Sequence, residues 1–327
     1  MKHVSILIPS GDCSLTHIEA THMILHEVNK QRAARDLPAL FDIQLVGIDK
    51  NSCIKKGLFS IHPDVNISEV EKTDLIIIPA LQEKDMNLAL QKNAAYLPWL
   101  SRQYKQGAEI ASLCIGSFLL AATGLLDGKK CTTHWGFASE FKAMFPNVTI
   151  VPEKILIDES GIYSSGGALS FTNLIVYLIE KYAGRDMAII ISKIFMIDID
   201  RDNQSPFIMF RGQKDHEDES IRRAQEFIEK NFTEKLTVDE LATMLALGRR
   251  NLERRFKKAT SNTVIEYIQR VKIEAAKMSL ESSRENVTEV MYKVGYNDTK
   301  AFRTTFKKIT GLSPIQYRSK YNREQMA

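Results

Sequence analysis

Four short runs rich in Ile, Val and Leu, at residues 4–9, 41–48, 75–79 and 109–113, are each bounded by Gly, Pro, Asp or another polar residue. Segments of helical periodicity, such as 17–34 and 93–106, lie between them. Apolar runs of this length are expected to be strands buried on both faces, and buried strands joined through helices pair in parallel. The first two thirds of the chain is therefore expected to form an open parallel sheet with helices on both faces. Sites in such sheets form where the strands end, so functional residues are sought there.

The alternation stops near residue 198. Residues 198–220 are polar, carry Asn, Gln, Pro and Gly, and finish in the acidic run 215–219, a composition unsuited to a packed core. This divides the chain into a domain at 1–210, a linker at 211–220 and a second domain at 221–327. Charge divides with it. From Ser220 onward there are 22 Lys and Arg against 13 Asp and Glu, a net of +9, whereas the preceding residues hold 22 against 27, a net of −5. A basic domain beside an acidic one points to a module for phosphate-bearing polymers joined to something that avoids them.

After the helix expected at 221–231, one plan appears twice: a short helix, a tight turn and a helix dense in basic residues. The first copy runs from Thr237 through a turn at Ala246-Leu247-Gly248 into 249–259, and Thr237 with Glu240 forms a capping box at its start. The second runs over 287–293, turns through 294–298 and continues at 299–310. A long amphipathic helix, 263–282, separates them. In each basic helix the apolar residues, Leu252 with Phe256 and Phe302 with Phe306, recur at i and i+4 and bury one face, leaving the other charged.

Leu241-Ala242, Leu252, Phe256-Lys257, Gly295-Tyr296, Phe302, Phe306-Lys307, Gly311-Leu312-Ser313-Pro314 and Tyr317-Arg318 resemble the AraC/XylS family across about 221–321. The resemblance implies an all-α domain with two helix-turn-helix units whose basic helices enter successive major grooves of double-stranded DNA, about 34 Å apart. On that footing Arg250, Glu253 and Arg254 face bases in one groove, and Lys300, Arg303 and Thr304 in the next. Arg249, Lys257, Lys258, Lys307 and Lys308 then contact phosphates. The implied partners are promoter half-sites, RNA polymerase and a second copy of the chain, paired through the α/β domain.

Within the α/β domain the sharpest local feature is Ser112-Leu113-Cys114-Ile115-Gly116-Ser117, where a strand passes through small residues into a short helix at 118–122. It is similar to a nucleophile elbow, with Cys114 at a helix N-terminus whose partial positive charge favours a thiolate. Thr132-Thr133-His134-Trp135 brings a histidine able to sit beside that sulfur. Together with Gly124-Leu125-Leu126-Asp127-Gly128, Ser165-Gly166-Gly167 and residues 204–207, these motifs resemble the ThiJ/PfpI superfamily over about 4–210, in its GlxA-type branch fused to AraC-type domains.

That resemblance implies a class I glutamine amidotransferase-like α/β fold and an effector pocket drawn from Asp12, Cys114, Ile115, His134 and Trp135. It also implies control by a small nitrogenous metabolite, of a regulator that is more often an activator. The alternative is a cysteine-dependent hydrolase or hydratase using Cys114 as nucleophile and His134 as base. The sequence departs from the protease-like members at Ile115, where they carry histidine. It departs from the redox-type members at Thr16, with Glu19 one helical turn on, and leaves Asp12 as the acidic candidate near the first strand. An incomplete catalytic set favours the non-enzymatic reading.

Other classes receive little support. Cys13, Cys53, Cys114 and Cys131 are scattered without a Cys-x-x-Cys pair, which argues against a disulfide framework or zinc site and for a reducing cytoplasm. His22, His26 and Glu19 share a helical face but lack the His-Glu-x-x-His signature, so no metal is expected. No Gly-rich phosphate loop follows a strand, and the apolar run before Pro9 is too short for a membrane span or secretory signal. No cofactor is expected.

Overall fold

The structure, a computed structural model, describes residues 1–49, 52–54, 57–214 and 216–322. The Cys53 side chain and Asp215 of the acidic run lie outside the described residues. The chain divides into two units, Met1–Gln204 and Ser205–Ala327.

In the first unit a seven-stranded sheet runs in the order Leu156–Glu159, Ile162–Ser165, Glu109–Leu113, Leu75–Ile78, Lys2–Ile8, Phe41–Gly47, Val65–Asn66. The four apolar runs read from the sequence are all present, and every pairing is parallel except that between the first two strands. Successive side chains go to opposite faces. Val4, Ile6, Ile8, Leu75, Ile77, Ala111 and Leu113 enter one core with helices Leu15–Ala33, Phe171–Ala183 and Arg185–Ile194. Leu7, Val46, Ile76, Ile78 and Ile110 enter the other, with Met86–Lys92, Tyr96–Lys105, Ser117–Ala122 and Ala138–Met144. The winding reverses between Lys2–Ile8 and Leu75–Ile78, which places a crevice outside the carboxyl ends of those strands.

The helix expected over 93–106 is present as Tyr96–Lys105, three residues shorter at its start. It is kept apart from the helix Met86–Lys92 by a turn at 93–95, where the Asn93 side chain accepts from Ser10 N at 2.8 Å and donates to Ser10 O and Ala89 O at 3.0 and 2.8 Å. A buried amide that completes its bonds with a distant strand end fixes where that helix begins.

The second unit is helical: Glu219–Asn231, Val238–Met244, Arg249–Thr260, Val264–Ser282, Val287–Lys293, Thr299–Thr310 and Pro314–Tyr321. It holds two cores. Ile221, Ala224, Ile228, Leu241, Leu252, Phe256 and Tyr267 build the first, and Ile273, Ala276, Leu280, Val290, Phe302, Phe306 and Tyr317 the second. Val264–Ser282 serves both, closing one with its first turns and opening the next with its last. Capping boxes start four helices, at Thr237 with Glu240, Thr263 with Glu266, Asn286 with Glu289 and Ser313 with Gln316.

The segment 205–220 is bonded to this helical unit rather than strung free. Lys277 Nζ donates to Ile208 O at 2.6 Å, Phe210 N donates to Glu274 at 3.1 Å, Lys214 pairs with Glu229 at 2.6 Å, and His216 meets Gln225 Oε1 at 2.9 Å. Asp218 caps Glu219–Asn231 and pairs with Arg255 at 2.5 Å. Its polar groups thus bond to helix side chains while much of the segment stays partly or fully exposed, and the compact units part at Gln204, before residue 210.

Candidate nucleic-acid interface and effector site

Arg249–Thr260 and Thr299–Thr310 lie fifty residues apart and repeat each other in burial, position by position. Leu252 and Phe302, Phe256 and Phe306, and Thr260 and Thr310 point inward. Both threonines return their hydroxyl to a carbonyl one turn earlier, on Phe256 and Phe306, at 2.8 Å. Each phenylalanine meets a tyrosine edge-on, Phe256 with Tyr267 at 5.3 Å and Phe306 with Tyr317 at 5.5 Å. These contacts fix the rotation of each helix about its axis and so decide which side chains face out.

The outward faces carry Arg250, Glu253, Arg254 and Lys257 on one helix and Lys300, Arg303, Thr304 and Lys307 on the other, all exposed at i, i+3, i+4 and i+7. Among the described residues Arg250, Lys300 and Arg303 make no hydrogen bond or ion pair, and Arg254 has only Asn251 at 3.1 Å. Their charge is uncommitted. Arg249 differs, pairing with Asp239 at 2.9 Å and Glu253 at 3.6 Å. Exposed pairs of this kind are worth about 0–1 kcal/mol, so a phosphate can displace them. Lys272 is buried and donates to Gly295 O at 2.9 Å, pinning the turn of the second half, and burial lowers its pKa. Gly295 (φ +76°) has Thr233 O only 2.1 Å from where a Cβ would stand, so that turn admits no other residue without movement.

At the strand ends of the first unit, Cys114 sits at φ +55°, the strained turn expected of an elbow, and leads through a single 3-10 turn into Ser117–Ala122. The expected thiolate is not supported. Cys114 is buried, and burial pushes its thiol up to about 12, so desolvation outweighs the short helix behind it. Nor does His134 act on it: among the described residues the two share no hydrogen bond, and His134 Nδ1 accepts from Gly136 N at 3.1 Å. That bond leaves the proton of the neutral ring on Nε2, a donor rather than a base. Burial also lowers the His134 pKa.

Trp135 lies half-buried against His134, 5.2 Å between centroids, and Phe137 closes on the same ring at 5.9 Å. Ile115 belongs to the core. Asp12 is half-buried, and its backbone N–H donates to Glu83 at 3.2 Å, while Lys92 holds that carboxylate at 2.7 Å and keeps its pKa low. Thr133 Oγ1 donates to Cys114 O at 3.2 Å, which ties the segment before His134 to the elbow. A cleft of about 590 Å³ opens elsewhere in this unit, along the edge strand, lined in part by Lys130, Lys154, Leu156, Tyr177 and Arg201.

The sequence pattern of a helix-turn-helix domain matches residues 241–320, and that of the DJ-1/PfpI family matches residues 21–181. The chain joins a DJ-1/PfpI unit to an AraC-type helix-turn-helix unit. The HTH-type transcriptional regulator GbdR of Pseudomonas aeruginosa is 26% identical over 267 residues, covering 78% of this chain and 68% of that protein. CdhR of the same organism is 24% identical over 86% of this chain and 82% of its own length, and GlxA of Rhizobium meliloti is 23% identical over 66% of each. Among solved structures, an AraC family transcriptional regulator from Pseudomonas putida superposes with a TM-score of 0.51 at 16% identity over 60% of this chain and all of that one. A ThiJ/PfpI family protein from Pseudomonas syringae gives 0.50 at 19% identity over 61% and 76%. The chain is a transcriptional regulator that binds DNA through its AraC-type unit.

The DJ-1/PfpI unit also uses residues that no motif announces. His17 is buried: its Nδ1 accepts from Ala80 N at 3.1 Å and its Nε2 donates to Ala168 O at 3.0 Å, so one neutral ring ties together two loops that leave strands. Its pKa falls to about 4 through burial. In the sequence it is a lone histidine on a helix, with nothing to distinguish it from His22 and His26, whose rings lie 4.6 Å apart. Among the described residues no group of three or more His, Cys, Asp and Glu could hold a metal, and no helix is long and apolar enough to cross a membrane.

Proposed function

We propose that this regulator reads promoter DNA with Arg250, Glu253 and Arg254 on one helix and Lys300, Arg303 and Thr304 on the other, while Arg249, Lys257 and Lys307 bind phosphates. The observation carrying this reading is the pair of matching exposed faces whose cations are uncommitted. Arginine suits guanine O6 and N7, and Glu253 can accept from a cytosine amine. Replacing Arg254 or Arg303 by Ala is expected to weaken binding to a preferred duplex by about 1–3 kcal/mol each at constant salt. Unchanged affinity in both variants removes the base-reading assignment. A genome-wide binding map of the protein gives the duplex to use and names the genes beside it.

The regulator is further proposed to act in the cytoplasm as a homodimer that activates transcription through RNA polymerase. Residues 1–204 sense a small nitrogenous metabolite at the strand ends around Asp12, Cys114, Ile115, His134 and Trp135. Support for the ligand class comes from the aromatic group formed by half-buried His134 and Trp135 with exposed Phe137, since aromatic faces attract cations. No observation favours a hydrolase or hydratase, because the Cys114 thiol is neutral at physiological pH and His134 presents it no base.

A further inference from the structure

Gln204, the last residue of the first unit, is 2% exposed, and its Nε2 reaches four oxygens: Pro152 O at 2.8 Å, Lys154 O at 2.9 Å, Thr133 O at 3.0 Å and Thr132 Oγ1 at 3.3 Å. Its Oε1 has no partner among the described residues. Its own N–H donates to Glu153 O at 2.7 Å, and Ile155 N donates to Asp202 O at 3.1 Å. Gly166 passes so close that a Cβ there would stand 1.9 Å from Nε2. One amide therefore clamps the residues just before His134, the loop 152–154 and the Gly166 turn. Through Thr133 it stands one side chain away from the Cys114 backbone.

The chain is held again almost at once. Pro206 O accepts from Tyr321 at 3.1 Å, Ile208 O from Lys277 at 2.6 Å, and Phe210 packs its ring on Tyr267 at 5.1 Å. Lys277 and Tyr267 both belong to Val264–Ser282, the helix shared by the two DNA-reading halves. Between the Gln204 clamp and the first of these anchors lies Ser205 alone.

We propose that Gln204 is a positioning residue that couples the strand-end site to DNA binding through the chain itself. A rearrangement of Thr132–His134 shifts Gln204, and with one residue of slack the displacement is delivered to the strap at 206–210 and to the helix beneath it. This rests on the function proposed above. By reciprocity, DNA binding must disturb the strand-end site to the same extent in free energy.

The test is hydrogen exchange on the full-length protein, with and without a duplex the protein has itself selected from a random-sequence pool. Wild type is expected to show protection in both basic helices and, at residues 131–136, a change in exchange of about fivefold or more. A four-glycine insertion between Ser205 and Pro206 is expected to keep the helix protection and abolish the change at 131–136. Gln204→Ala is expected to abolish it too, with retained thermal unfolding as the check on folding. A change that persists in the insertion variant overturns the coupling, as does its absence in wild type with the duplex bound. Failure of any duplex to bind overturns the DNA-reading assignment and the coupling with it.

Discussion

At Cys114 two local preferences oppose each other: an elbow that presents a thiol at a helix start, and an apolar surround that keeps it protonated. The surround wins, and its strength is visible elsewhere, since burial also pushes the Cys13 and Cys131 thiols up to about 12. His17 obeys the same physics in the opposite direction. Folding holds it neutral down to about pH 4, whereas the unfolded chain takes up the proton near pH 6.5. Its contribution is thus complete above pH 6.5 and is lost as pH falls towards 4, a change of about 3 kcal/mol. Urea unfolding of wild type and His17→Gln at pH 7 and pH 4.5 checks this, and the variant should lack that part of the pH dependence. The elbow was legible in the sequence because Cys-Ile-Gly-Ser is a local pattern. The roles of His17 and Gln204 were not, because each is defined by partners dozens of residues away.

Among the elements, those formed by local chemistry follow the sequence closely. Capping boxes, apolar runs and i, i+4 aromatic pairs place the helices of the second unit and four strands of the first. The hairpin joining Leu156–Glu159 to Ile162–Ser165 turns on Ser160 and Gly161, both at positive φ, a signal that a search for apolar runs passes over. The two helix-turn-helix halves differ at one turn position. Two residues beyond the short helix, Gly295 takes φ +76° in one half and Ala246 takes φ +52° in the other. Ala246→Gly should stabilise the unit by about 1 kcal/mol, because only glycine occupies that region without strain. Gly295→Ala should destabilise it by about 2 kcal/mol or more, since strain adds to the close approach of Thr233 O. Denaturant titration of the two variants beside wild type measures both.

For the molecule as a whole, charge separation already marked which part meets DNA, and the polar composition of 198–220 marked a segment that avoids a core, but not the partners on the helical unit to which residues 206–218 are bonded, because those partners lie far along the chain. The shared helix Val264–Ser282 has 19 residues, about 28 Å of rigid rise, and contributes side chains to both cores. Neither half can turn without the other. A duplex, by contrast, rotates by roughly 34–36° with each base pair added. If Arg254 and Arg303 read bases as proposed, inserting one or two base pairs between their two segments should therefore reduce affinity towards that of an unrelated duplex, as fluorescence anisotropy at fixed salt can measure. For a genome, a reader built on one rigid ruler sets spelling and spacing together: two short words count as a target only at one separation, and the gained or lost base pair between them weighs as much as a changed letter within either.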